Sequence, residues 1–253
     1  METYSESTGE SGVSDRVVDK ENIYLECERP WVYWLLIFVA GWFGAYTFLL
    51  RGGVFCNAQT ANVVLFAIAI GSKSVRRAMY LLIPITAYFA GAFLSEYLGK
   101  SVKKVHLLRW DTLLIGIEIA VVIVLGWLPE SAPDQICQIA LNFICSMQFN
   151  TFRQVEGVPA ATTFVTNHIR QVGSFAAKYC RHKDKQALDK IKVHGALIIF
   201  FLLGGIAGTF ISEFCDYKSI WGSAFVLAII FVRLAYADLS YEKDLLSKVP
   251  HGH

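Results

Sequence analysis

The sequence predicts an all-α fold: a polytopic transmembrane helix bundle of two internal repeats of about four spans each, six to eight spans in total. Three observations carry the prediction. Apolar residues make up 55% of the 253-residue chain and charged residues 17%, against about 45–50% and about 25% in ordinary soluble domains. The charges are gathered between long apolar runs, and two of these runs, 31–50 and 195–212, hold none; runs of about 18–20 residues match the hydrocarbon thickness of a bilayer. The octet AGAFLSEY beginning at Ala90 also returns as AGTFISEF beginning at Ala207.

The opening stretch, 1–30, is polar, with eight acids against three bases in its first 29 residues and no apolar core of a secretory signal. It reads as a disordered cytosolic tail. Eight candidate spans follow, at 31–50, 54–70, 79–98, 112–128, 135–152, 158–177, 195–214 and 220–237. The second and fourth are short, and the fifth and sixth are rich in polar side chains, so hydropathy alone also allows six. A short polar tail, 239–253, closes the chain.

The octet ends the third and the seventh span. One span earlier, Gly53-Val54 with Thr60-Ala61-Asn62 is echoed by Gly157-Val158 with Thr166-Asn167-His168. Matching order in both halves points to two copies, 31–128 and 129–238. An even number of spans per copy makes the copies parallel, and an odd number makes them inverted. The basic loop 72–77 (Lys73, Arg76, Arg77) and its counterpart 178–193 (six Lys and Arg) would both be cytoplasmic, which parallel copies require. Both termini are then cytoplasmic in the cell membrane. The basic loop 99–110, with Lys100, Lys103, Lys104 and Arg109, falls on the wrong side of that arrangement.

Inside the octets, Ala87, Gly91 and Ser95, and likewise Gly204, Gly208 and Ser212, form small-residue ridges that let helix backbones approach in lipid. They read as packing surfaces, and a ridge left spare would make a homodimer. Glu96 and Glu213 close the two octet helices, where a carboxylate reaches water.

Polar groups cannot face lipid. In the sixth span Thr163, Thr166, Asn167, Arg170, Gln171, Ser174 and Lys178 recur at steps of three and four, one face of a helix. Asn142 belongs to a thinner stripe on the fifth span, and Asn57, Thr60 and Asn62 lie in the second. The stripes read either as an interior hydrogen-bond network or as the wall of a substrate path, and the arginine within the longest stripe favours the path. Glu118 stands alone within the apolar stretch LLIGIEIAVVIV. A buried acid needs a partner, Arg170 first and Arg233 second, and it is a candidate for coupling protons to transport. Arg51 and Arg153 each stand before a helix start; in parallel copies they would share one side and hold an anion, or else snorkel to headgroups.

The stretches GGVFCNAQTANVV, SMQFNTFRQ and GVPAATTFVTNHIRQVG resemble the signatures of the YoaK-type family of bacterial membrane proteins, over roughly 31–237. Here Thr60-Ala61-Asn62 stands where that family shows Thr-Gly-Asn, and Thr166-Asn167 where it shows Thr-Gly. The resemblance implies about six spans and a suggested role in transport, with no established activity.

Net charge is only +2, which does not call for a nucleic-acid partner. The six cysteines lack CxxC spacing. No HExxH, GxSxG, P-loop or strand-borne GxGxxG motif occurs, so neither an enzyme, a metal nor a cofactor is expected. The expected partners are the bilayer and a small metabolite, which the arginines make a candidate anion. The function expected is a transporter or exporter with its path between the repeats; a membrane scaffold or sensor is the alternative.

Overall fold

A computed structural model describes residues 24–101, 104–105, 108–246, 248 and 250–251. The expected tail therefore lies mostly outside the described residues. Its last part does not behave as a tail: Leu25 to Glu28 are buried, in a 3-10 turn beneath the bundle.

Eight α-helices run among the described residues: α1 Pro30–Leu50, α2 Gln59–Gly71, α3 Val75–Ser101, α4 Trp110–Gly126, α5 Asp134–Thr151, α6 Thr166–His182, α7 Lys185–Cys215 and α8 Ile220–Leu239. Two small antiparallel hairpins interrupt them, β1 Lys104–Val105 with β2 Leu108–Arg109, and β3 Gln154–Val155 with β4 Val158–Pro159. Among the described residues, three helical stretches are long and apolar enough to cross a membrane: Pro30–Leu50, Val75–Leu98 and Lys185–Leu239. The last joins α7 to α8 through the 3-10 turn Asp216–Ser219.

Two expected spans are corrected. The stretch 54–70 is not one helix. Gly52 and Gly53 take φ of +78° and +68°, the left-handed conformation that glycine reaches without a Cβ penalty. The chain then stays non-helical until α2 begins at Gln59. With 13 residues, α2 is about 20 Å long, short of a bilayer core of about 30 Å. The stretch 158–177 fails likewise. Gly157 has φ +81°, and Pro159, which lacks an amide hydrogen, sits in the β3–β4 hairpin, so α6 starts only at Thr166.

Packing is led by α1 against α7 and α3 against α5, followed by α6 on α7, α4 on α8 and α2 on α3. The repeated octets explain the first two. A Cβ on Gly204 would strike the Phe38 carbonyl of α1, and one on Gly208 would lie 3.0 Å from the Trp42 backbone. Trp34 stacks on Phe200 at 5.5 Å. Successive contacts advance together along both chains, so α1 and α7 run in the same direction. On the other pair, a Cβ on Gly91 would strike the Phe143 carbonyl and Ser146, and Ser95 bonds Met147 and Thr151. There too the helices run the same way. Both ridges are thus used inside the chain, and a homodimer would need another surface.

Direction contradicts parallel copies. The start of α1 meets the residues after α5, where the Gln154 amide donates to the Tyr33 hydroxyl at 2.9 Å. The end of α1 meets the start of α5, where Gln138 donates to the Arg51 carbonyl at 2.6 Å. Helices α1 and α5, which the expected repeat would make equivalent, point in opposite directions. The physical reason is that α2 and α6 double back instead of crossing the bundle.

At the end bearing both described termini, a buried ionic cluster ties four segments together. Arg109 donates to Glu242 at 3.1 Å and to the Cys27 sulfur at 3.0 Å, with Asp111 at 3.5 Å and Asp238 at 3.9 Å. The Glu26 amide also donates to Glu242, and the Thr112 hydroxyl to Asp238. Arg109, counted from sequence among the charges of the loop 99–110, is 3% exposed.

Candidate functional site

The two doubling-back segments bring their turning points to the interior. In the first, Asn62 on α2 reaches back seven residues and binds both backbone groups of Phe55: its Oδ1 accepts from the amide at 3.2 Å and its Nδ2 donates to the carbonyl at 2.6 Å. The Cys56 amide donates to the Thr47 hydroxyl at 3.3 Å, and Asn57 Nδ2 to the Ala40 carbonyl at 2.8 Å, halfway along α1. Gln59 then donates to Asn142, in the middle of α5, at 2.6 Å. These bonds satisfy backbone groups that an extended segment buried among helices would otherwise leave unpaired.

The second segment is pinned the same way. His168 on α6 reaches back seven residues to the Ala161 carbonyl at 2.8 Å. A carbonyl can only accept, so Nε2 of His168 carries the hydrogen. In the neutral ring Nδ1 is then bare and accepts from Nδ1 of His194 on α7, 2.9 Å away. Gln148 donates to the Thr162 carbonyl at 3.3 Å.

Between the two turning points lies a cavity of about 810 Å³. The first segment lines it with Phe55, Asn57 and Ala58, the second with Thr163 to Thr166, α1 with Gly41, Gly44 and Ala45, and α7 with residues from Ile198 to Glu213. Thr162 Oγ1 is buried without a hydrogen-bond partner, and the buried Thr163 hydroxyl is turned to Tyr88 of α3.

Glu118, on α4, is fully buried, and neither carboxylate oxygen has a hydrogen-bond partner. It lies within electrostatic reach of the Cys145 thiol on α5, which touches Cys56 of the first turning point at 3.9 Å between sulfurs. An ionised carboxylate without a partner in an apolar interior is strongly disfavoured, so the geometry suits the neutral acid.

Placement divides the residues singled out from sequence. Asn57, Asn62, Asn142 and Thr163 are buried around the turning points. Thr60, Thr166, Arg170 and Ser174 are exposed, and Asn167 and Gln171 half-buried. The expected Glu118–Arg170 pair does not form: Arg170 donates to Asn167 on the exposed face of α6 at 2.9 Å. Nor does Arg233 serve, since it faces Glu26 at 3.5 Å. The polar face of α6 turns outward: the helix starts only at Thr166, beside the buried Thr162 and Thr163, and runs to a basic end with Arg181 and His182.

The joint anion site of Arg51 and Arg153 is also corrected. The two stand at opposite ends of α5, whose 18 residues separate them by about 27 Å. Arg51 is buried, with its guanidinium 4.1 Å from the Tyr217 ring, its Nε on the Tyr46 hydroxyl at 3.3 Å and Asp134 at 3.9 Å. Arg153 pairs with Glu96 at 2.7 Å. Sequence reasoning missed the His168–His194 pair, Gln59 and the Cys56–Cys145 contact. A signal existed for the first, because His168 occupies the echo of Asn62 in the second half.

A family profile described as Protein of unknown function (DUF1275) matches residues 32–233, and the chain belongs to that family. The match covers nearly the stretch on which the family resemblance rests. Neither a curated protein nor a solved structure matches the chain.

Proposed function

We propose that this DUF1275 protein is a cell-membrane transporter of a small molecule, built from two inverted repeats, 31–128 and 129–238. Each repeat crosses the bilayer three times and sends one half-helix back from the centre. An odd number of crossings inverts the second copy. Exchanging α1–α4 with α5–α8 carries the α1–α7 packing onto α5–α3, α2–α3 onto α6–α7, and α4–α8 onto itself. The seven-residue pins of Asn62 and His168 are equivalent under the same exchange.

This topology also removes the charge conflict. The end bearing both described termini gathers Lys100, Lys104, Arg109, Lys178, Arg181, Lys183, Lys185, Lys190 and Lys192, while the other end has Arg51, Lys73, Arg76, Arg77 and Lys218. The positive-inside rule makes the first end cytoplasmic.

The observation that carries the transport reading is the cavity held between the turning points of the two half-helices. Backbone that leaves the helical state at mid-bundle is tolerated in a membrane only where protein or a cavity surrounds it, and discontinuous helices at a repeat interface are where transporters bind substrate. Glu118, one helix away and without a partner, is suited to carry a proton as the bundle rearranges. A scaffold would have no need of such an acid at its centre.

Proteoliposomes loaded with a pH-sensitive dye test this reading against a metabolite panel. The expected result is substrate-dependent proton movement. Glu118→Gln, a near-isosteric neutral replacement, should keep the fold and lower proton-coupled flux by about two orders of magnitude or more, as for loss of a positioned acid–base group. Flux that is unchanged in the variant would remove Glu118 from the mechanism. No flux across the panel would leave the scaffold or sensor.

A further inference from the structure

We infer that the cavity between the turning points takes a neutral molecule with an apolar body and one hydrogen-bonding head, entering from the bilayer side. The inference rests on the transport reading for what the cavity is for, but its binding chemistry follows from the walls alone.

No lysine or arginine lines the cavity, and its one ionisable wall residue is Glu213. An anion would therefore meet no countercharge and one like charge. This excludes the anionic class that Arg51 and Arg153 suggested, since neither reaches the cavity. The body of the wall is apolar, with Phe55, Phe164, Ile198, Phe201 and Leu202 contributing. Leu202, Ile206 and Phe210, which also line it, are 56–60% exposed on the outer face of α7, the surface that would meet lipid. A mouth framed by such side chains admits what dissolves in hydrocarbon.

One polar group gives the head its place. Asn57 donates through Nδ2 to Ala40, and its Oδ1 is left as an acceptor beside Gly44, which lines the cavity with it. Thr163 lies on the same wall, but its hydroxyl is buried and turned to Tyr88 of α3. A ligand head that donates one hydrogen bond, such as an amide, a hydroxyl or an aromatic amine, would satisfy the Asn57 oxygen.

The test uses two probes of the same apolar body, neutral N-phenylnaphthylamine and anionic anilinonaphthalene sulfonate, with the full chain in nanodiscs. Fluorescence of the neutral probe should rise saturably to one site per chain, with the anionic probe binding at least about tenfold more weakly. Gly205→Phe is the blocking variant. A Cβ there meets only the Gly41 carbonyl, at 3.7 Å, an ordinary contact, so the ring projects into the cavity and should abolish saturable binding. Thr163→Val keeps the shape, removes a hydroxyl turned to Tyr88 and away from the cavity, and serves as the control that should leave binding unchanged. Thermal melting checks that each variant is folded.

Equal affinity for the two probes would overturn the inference, as would saturable binding unchanged in Gly205→Phe or a signal that never saturates above that of empty nanodiscs. The two proposals separate cleanly. Neutral-probe binding without flux supports the ligand class and sinks transport; flux of an anion blocked by Gly205→Phe keeps transport and sinks the ligand class.

Discussion

Arg109→Gln will lower the stability of the folded protein by about 3–5 kcal/mol, the range for stranding one side of a buried charge cluster. The guanidinium is 3% exposed and faces Asp111, Asp238 and Glu242 together with the Cys27 sulfur. Burial opposes the Arg109 charge, but these neighbours outweigh it and raise its pKa above the usual value. The variant leaves three acids without their cation. The effect also depends on pH. Burial raises the Glu242 carboxyl, while the Glu26 amide and Arg109 pull it down; removing Arg109 raises it further. A carboxyl raised on folding binds its proton more tightly in the folded state, so its contribution is full below the unfolded pKa and is lost as pH rises through the folded one. Thermal melts in detergent at about pH 5 and about pH 8 should show the larger deficit at the higher pH. A deficit equal at both, or under about 1 kcal/mol, would mean that the cluster does not hold these ends together.

Gly204→Leu will break the α1–α7 seam. Its Cβ would collide with the Phe38 carbonyl, and backbone cannot yield as a side chain can. Overpacking a close interface costs about 1–3 kcal/mol and at times more, and in lipid close approach is itself the source of attraction. The adjacent Gly205→Leu serves as control, since its Cβ meets only an ordinary contact. It should be neutral or stabilising, leucine being the better helix former by about 0.8–1 kcal/mol. A melting temperature lowered only in Gly204→Leu supports the seam. Equal behaviour of the two would remove the octet from packing.

Much of this architecture could be read from the chain, for identifiable reasons. The uncharged run 31–50 falls within α1, and 195–214 and 220–237 lie within the continuous stretch Lys185–Leu239. Length and apolarity are local properties, and they suffice for such helices. The octets were legible as packing surfaces because small residues at helical spacing permit one kind of contact whatever the partner. What could not be read is where apolar chain turns back. Residues 54–70 are apolar enough to span, and only Gly52-Gly53 and the Phe55–Asn62 bonds decide that they do not. Counting that stretch as a span is what led to parallel copies, since the proposed inverted repeats have one crossing fewer per half, odd instead of even.

The site was legible in type more than in geometry. Glu118 stands out because an acid at a helix centre costs about 2.5–3.5 kcal/mol on insertion scales, and it is indeed buried. Its partner was not readable, because the structure provides none among the described residues. Arg170 misled for a related reason: a polar stripe looks the same whether it faces a path or the outside of the bundle. Asn57 and Thr163 come together only through tertiary structure, from segments that no local period connects.

Sidedness tests the central claim most directly. In a background with the two exposed cysteines replaced, Cys180→Ser and Cys215→Ser, single reporters go into Ser74→Cys, between α2 and α3, and Gln186→Cys, at the start of α7; both positions are exposed. Impermeant maleimide is applied to intact cells and to inverted vesicles. Inverted repeats predict that Ser74→Cys is labelled only in intact cells and Gln186→Cys only in inverted vesicles. Labelling of both from the same side would restore parallel repeats and contradict the inverted bundle on which the proposed path depends.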